Sequence, residues 1–227
     1  MMNRIFMLGT VMMLVVMPIT AHAASALDYY KDWAAIKYGT QNSDKKQADL
    51  EKLATQLDAL LAKDAKDVEA KIVLATVKST HASIKGGLSA LPLVKDARDL
   101  FEEAIKSDEK AMDGQAHAIL GALYYGVPGW PVAFGDDDKA ERHLKKALSI
   151  APDSIDAHFF WGEFWFEHNK YDRAVEYLTK AVALKPRTSN AAYKAADTGR
   201  QAEAKTLLKK AEEKLRSKSS RGSNLND

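Results

Sequence analysis

The chain has 227 residues, of which 46% are hydrophobic, and 33 basic residues are balanced by 31 acidic ones. This length and apolar content suffice for one domain with a sizeable core, and the near-neutral charge gives no electrostatic basis for binding nucleic acid or an anionic membrane. The sequence contains no cysteine. A disulfide framework, a thiol nucleophile and a lipid-modified cysteine are therefore excluded.

The N-terminus has the pattern of a secretory signal. Arg4 precedes an apolar run from Ile5 to Ile19, which ends in the small-residue site Ala21-His22-Ala23. A transmembrane helix is the alternative, but the run is short and lacks a stop-transfer flank. We therefore predict a signal peptide over residues 1–23, a mature chain that begins at Ala24 with no membrane span, and a bacterial protein that is periplasmic or secreted.

Helical periodicity runs through the rest of the chain, and no alternating strand pattern is convincing. The fold class predicted is all-α. The expected helices span residues 26–38, an amphipathic segment from about 50 to 61, residues 68–85 ended by Gly86-Gly87, and residues 95–106 after a loop closed by Pro92.

A repeated unit is centred on Gly162. His158 lies four residues before this glycine, Ala174 twelve after, Leu178 sixteen after, and Pro186 twenty-four after. In a helical hairpin, the glycine lets the first helix (A) approach the second (B), the alanine is a matching small residue, and the proline ends helix B. The spacing therefore predicts a hairpin over residues 158–186.

The preceding unit has the same parts with a longer turn. Gly121 and Ala140 are nineteen residues apart, where Gly162 and Ala174 are twelve apart, so seven residues are inserted between helices A and B. Further units are suggested by Ala97, Phe101 and Ala104, and by a shortened terminal set, Ala195, Ala204, Leu208 and Ala211. The polar segment 217–227 is predicted to be a disordered tail.

These positions resemble the tetratricopeptide repeat (TPR), although His158 stands where that family often has Trp. The resemblance implies helical hairpins stacked as a short solenoid or compact bundle over residues 24–216, with helix A lining a concave face. The widened turn followed by Gly135-Asp136-Asp137 and a basic-rich helix also resembles the T component associated with TRAP transporters. That second resemblance implies a periplasmic solute-binding protein as partner, but the lipoprotein cysteine of better-known members is missing.

Chemical motifs are weak. Asp136, Asp137 and Asp138 match no calcium loop, and we interpret them as the N-terminus of a helix, where carboxylates complement the helix dipole. The histidines show no close metal-ligand spacing, and there is no nucleophile-elbow or phosphate-binding glycine motif. We therefore expect no enzyme, no metal and no cofactor.

Aromatic residues provide the remaining signal. Phe159, Glu163 and Phe166 lie on a helical stripe that faces the groove in TPR proteins, and equivalent offsets select the side chains of Tyr125, Tyr193 and Arg200. The alternative is that these side chains only seal neighbouring helices.

In the enlarged turn, two prolines and a glycine favour a single conformation. Trp130 and Phe134 are predicted to fold back onto the bundle beside Tyr125, as a structural plug or a recognition element.

Three functions follow from this pattern. The first is a non-enzymatic exported scaffold that binds a protein, such as a periplasmic solute-binding component. The second is a carrier in which Phe159, Phe166, Tyr125 and Tyr193 line a cavity for a small apolar or amphipathic ligand, and Glu163 or Arg200 orients its polar group. The third is an enzyme whose site the sequence does not reveal. A homo-oligomer is compatible with each.

Overall fold

A computed structural model describes residues 24–223. The predicted signal peptide over 1–23 and the last four residues lie outside the described residues. The described part is all-α and TPR-like: apart from an isolated bridge between Gly129 and Gly135 it has helices, turns and loops. The helices are α1 (Ala26–Gly39), α2 (Ser43–Leu61), α3 (Val68–Lys85), α4 (Leu91–Ser107), α5 (Ala111–Gly126), α6 (Asp137–Ile150), α7 (Ile155–Glu167), α8 (Tyr171–Ala183) and α9 (Ala191–Ser223), with a 3-10 turn at Leu88–Ala90.

Local sequence sets the helix boundaries. Ser25 and Asp28 form a capping box at the start of α1, in which each side chain accepts a hydrogen bond from the backbone of the other residue. Asp67 caps α3 through its side chain alone, which accepts a hydrogen bond from the backbone N–H of Ala70. Helix α3 ends at Gly86 and Gly87, whose φ angles of 65° and 61° are strained for residues with a side chain.

Three antiparallel hairpins form the body of the fold, namely α3–α4, α5–α6 and α7–α8. A Cβ added at Gly162 would lie 2.6 Å from Cγ of Leu178, and one added at Gly121 would lie 2.8 Å from Cγ of Leu144. Only a glycine therefore permits the observed distance between the two helices of each hairpin. The repeat register predicted from the sequence is confirmed at both positions.

Two boundaries differ from the prediction. Helix α4 begins at Leu91, so Pro92 lies in its first turn, where a proline loses no intrahelical hydrogen bond. The terminal unit is a single continuous helix, α9, rather than a shortened hairpin. This helix continues to Ser223, and the disorder predicted from residue 217 stays a prediction.

Helix α1 lies on the inner face of the stack, which is formed by α3, α5, α7 and α9. The indole of Trp33 donates a hydrogen bond to Thr80 of α3 at 2.9 Å, and the amide of Gln115 in α5 donates to the hydroxyl of Tyr30 at 2.9 Å. Lys37 forms an ion pair with Glu203 of α9 at 3.2 Å. The first helix thus connects the first hairpin to the last helix. Across residues 24–223, no helix combines the length and apolar content needed to span a membrane.

Candidate functional site: the Trp130 loop and the inner cavity

The enlarged turn between α5 and α6, residues 127–136, is an ordered loop that we call the Trp130 loop. The backbone N–H of Gly135 donates to the carbonyl of Pro128 at 2.9 Å, and that of Asp136 donates to the carbonyl of Tyr124 at 2.9 Å. At Gly135 a Cβ would collide with the carbonyl oxygen of Val127. The two ends of the loop therefore approach each other at a position that requires glycine. These contacts hold the base of the loop together.

Phe134 and Trp130 occupy opposite environments within this loop. The Phe134 ring packs edge-on against Tyr124, with centroids 5.6 Å apart, and the guanidinium of Arg98 lies 4.7 Å from its centre. Trp130 is 90% exposed. The prediction that both rings fold back onto the bundle beside Tyr125 is therefore wrong for Trp130, and Phe134 packs on Tyr124 instead. A backbone bridge joins Gly129 and Gly135, and Trp130 follows directly after Gly129 with its side chain in solvent.

The large apolar side chains exposed on the described part of the chain all belong to two loops. They are Leu88, 71% exposed in the turn between α3 and α4, and Trp130 and Val132, 90% and 49% exposed in the Trp130 loop. Both loops connect helix A to helix B in successive hairpins, and residues from both line one cavity. They therefore lie at the same end of the stack, where an apolar surface faces solvent.

The cavity has a volume of about 570 Å³ and lies on the inner face, between α1 and the A helices. Its wall is largely apolar and includes Trp33, Leu91, Val94, Ile119, Leu123 and Phe160. Exposed loop residues such as Gly87 and Pro128 line one side, so the cavity opens beneath the two loops. We call this space the inner cavity.

Charged side chains meet at one wall of the inner cavity. The hydroxyl of Tyr125 donates to Glu163 at 2.6 Å, and Arg200 pairs with Asp156 at 2.6 Å. Burial raises the pKa of the Glu163 carboxyl above its ordinary value, and the hydrogen bond from Tyr125 opposes this shift only partly. Burial, aided by the positive charge of Arg200, lowers the pKa of Lys37 to about 8.

The predicted groove residues separate into different environments. Phe159 is buried, and the guanidinium of Arg200 lies over it at 4.7 Å. Tyr193 packs edge-on against Tyr30 of α1, and Phe166 packs against Tyr171 at the start of α8. Helix α1 covers part of the inner face and Phe159 is sealed by packing, while Glu163 and Arg200 line the inner cavity. A binding role for these residues stays a prediction.

The acidic triplet and the histidines have structural contacts. Asp136 caps α6 by accepting from the backbone of Lys139 at 2.9 Å, as predicted, while Asp137 contacts His168 at 2.9 Å. The sequence did not predict that His117 and His143 meet, with their Nδ1 atoms 2.9 Å apart. Their register in the α5–α6 hairpin becomes evident only once the inserted loop is placed. Within residues 24–223, no group of three or more potential ligands could hold a metal ion.

The hairpins, their glycine contacts and the inner face define an all-α, TPR-like fold. Consistent with this class, residues 132–198 match the family model of the tetratricopeptide repeat. Such repeats are typical of scaffolds that bind other proteins and have no catalytic activity of their own.

Solved structures give distant similarities. A crystal structure of MamA is 21% identical, covers 80% of this chain and 98% of its own, and has a TM-score of 0.43. A second crystal structure of MamA protein is also 21% identical, with 86% of this chain and 94% of its own covered and a TM-score of 0.39. Yeast Tom70 is 18% identical, with 86% of this chain and 55% of its own covered and a TM-score of 0.28. No curated protein matches the chain in sequence.

Proposed function

We propose that the protein is an exported, non-enzymatic scaffold that binds a protein partner through the Trp130 loop and the neighbouring Leu88 turn. The observation that carries this proposal is the exposure of Trp130, which is 90% accessible in a hydrogen-bonded loop. An exposed tryptophan gains no stability from packing against its own chain. Its burial in a partner would remove a large apolar surface from water.

The loop is suited to binding because its conformation is restricted before a partner arrives. Phe134 anchors one side against Tyr124, and the bonds at Gly135 close the base. An ordered loop loses less conformational entropy on binding than a flexible one. Tryptophan is also enriched among the residues that dominate interface energetics, and Leu88 adds apolar area at the same end of the stack.

The sequence supports a compartment and a class of partner for this proposal. The apolar run before Ala24 supports export to the periplasm, where the mature protein would act. The resemblance to the TRAP-associated T component makes a periplasmic solute-binding protein the partner to test first. An N-terminus other than Ala24 on material isolated from the periplasm would contradict the proposed processing.

The experiment uses the mature protein as bait in periplasmic extract, followed by calorimetry with each purified partner. Trp130→Ala is expected to weaken partner binding by about 2 kcal/mol or more, as the loss of an exposed anchor would. Because the indole has few contacts with its own chain, the free energy of unfolding should change by less than about 0.5 kcal/mol. Unchanged affinity in this variant would contradict the role of the loop.

Two matched variants test the mechanism. Trp130→Phe keeps an exposed aromatic ring at this position and is expected to retain part of the affinity. Gly135→Ala keeps Trp130 but places a Cβ against the carbonyl of Val127, so it should distort the loop and weaken binding. If Gly135→Ala binds like the wild type, the closed conformation of the loop is not what the partner recognises.

A further inference from the structure

The inner cavity has properties that the proposed scaffold function does not use. Its volume of about 570 Å³ lies within the range of about 300–1,000 Å³ that is typical of small-molecule sites. Trp33 from α1, Val94 from α4, Ile119 and Leu123 from α5 and Phe160 from α7 form its apolar wall. Such a wall would favour the apolar body of a ligand, and the polar groups at one side would select its head group.

The charges at that side do not balance when every group is ionised. Lys37 lies 3.2 Å from Glu203, and Arg200 lies 2.6 Å from both Glu203 and Asp156. These two cations and two carboxylates neutralise one another. Glu163 is the additional carboxyl group.

Glu163 is the member of this cluster that lacks an ion pair among the described residues. Its partner is the hydroxyl of Tyr125, which donates to one carboxylate oxygen at 2.6 Å. A carboxylate held in apolar surroundings without a cation is unfavourable, and it is stabilised either by taking up a proton or by gaining a positive partner. The raised pKa of Glu163 is consistent with this deficit.

We propose that the inner cavity binds an amphipathic amine, with the ammonium group against Glu163 and the apolar body along Phe160, Leu123 and Val94. An ammonium donates up to three hydrogen bonds and supplies the missing positive charge. A carboxylate ligand would meet Glu163 as a like charge, and it would have to compete with Glu203 and Asp156 for Lys37 and Arg200. Lys37 and Arg200 also line the cavity, but both are already paired with Glu203 and Asp156. The charge left for a ligand to balance is that of Glu163, so the arrangement favours a cation.

The test uses two probes with matched chains, decylamine and decanoate, and isothermal titration calorimetry of the mature protein at pH 7. Decylamine is expected to bind one molecule per chain, and decanoate more weakly or not at all. Glu163→Gln should weaken decylamine binding at least about tenfold, because a charged partner is lost from a site with little water. Glu167→Gln, which makes the same change at an exposed position one turn later, is the matched control and should bind like the wild type.

A second measurement requires no variant. Since burial raises the pKa of Glu163, an ammonium that binds there should displace a proton from the carboxyl as the pH is lowered, seen as a binding enthalpy that depends on the ionisation enthalpy of the buffer. Absence of decylamine binding, tighter binding of decanoate, equal effects of the two glutamine variants, or no proton release at any pH as the pH is lowered would each overturn the proposal. Trp130→Ala is expected to leave decylamine affinity unchanged, so this proposal and the scaffold function can fail separately.

Discussion

Substitution of Gly162 by alanine provides a direct test of how closely α7 and α8 approach. The added Cβ would lie 2.6 Å from Cγ, 2.9 Å from Cδ2 and 3.2 Å from the backbone nitrogen of Leu178. Leu178 is fully buried, so its side chain cannot swing into solvent to relieve the contact. Overpacking of this kind costs about 1–3 kcal/mol, and the higher helix propensity of alanine offsets up to about 1 kcal/mol.

We therefore expect Gly162→Ala to lower the free energy of unfolding by about 1–2 kcal/mol, which lowers the melting temperature by about 2–4 °C per kcal/mol in a chain of this size. Thermal melts followed by circular dichroism measure this change. Gly39→Ala is the matched control, because a Cβ there meets nothing within 4 Å. Its melting temperature should be unchanged or slightly raised.

A double variant identifies the clash itself. Leu178→Ala alone is expected to cost about 2–5 kcal/mol, because it removes a buried side chain, but it also makes room for the new Cβ. The double variant Gly162→Ala/Leu178→Ala should therefore be less destabilised than the sum of the single variants by at least about 0.5 kcal/mol. Melts of Gly162→Ala that coincide with those of the wild type would refute the close approach and the repeat register built on it.

Three further predictions concern stability. Burial, with a further contribution from His143, lowers the pKa of His117 to about 4, so as the pH falls the unfolded chain takes up a proton at a higher pH than the folded chain does. The contribution of His117 to the free energy of unfolding should be fully present above pH 6.5. It should fall by about 2 kcal/mol as the pH decreases towards 4, as measured by urea unfolding. Asp156→Asn should cost about 3 kcal/mol, because it removes a buried partner of Arg200. Phe134→Ala should cost about 1–3 kcal/mol, because its ring is partly buried against Tyr124.

Each has a control. His117→Gln should reduce the loss of stability between pH 6.5 and 4, and an unchanged pH profile would contradict the assignment. Glu176→Gln, in an exposed pair with Lys180, should change stability by less than about 0.5 kcal/mol, and an effect as large as that of Asp156→Asn would contradict the importance of burial. Trp130→Ala is the matched control for Phe134→Ala, and equal losses would contradict the different packing of the two rings.

The sequence predicted the hairpins well because their packing leaves a local trace. A glycine on helix A and small residues at fixed distances on helix B are required wherever two backbones approach, as at Gly162 and Ala174. The same counting located the insertion after Gly121. It could not orient Trp130, because the direction of a loop residue depends on which ring occupies the available space, and that ring is Phe134.

The inner cavity was less accessible to prediction. The wall of the cavity forms only because α1 lies against α3 and α9. Contacts that hold α1 there, such as the ion pair between Lys37 and Glu203, join residues far apart in the sequence and leave no periodic pattern in it. Helical spacing placed Glu163 on the inner face, but it could not show that α1 covers part of that face. The meeting of His117 and His143 was missed for a related reason, since the long loop between their helices obscures the pairing.

The position of α1 also affects how the protein unfolds. A linear repeat array can lose its terminal units one at a time, because each contacts only its neighbours. Here the last helix, α9, contacts α1 at the opposite end of the array. Glu203 of α9 forms an ion pair with Lys37 of α1, and Gly199 of α9 packs directly against the ring of Tyr38 of α1. Fraying of α9 would therefore expose aromatic surface on α1 as well. This closure couples the two ends, so the array should melt as one cooperative unit, and a repeat could not be added or removed without breaking that junction.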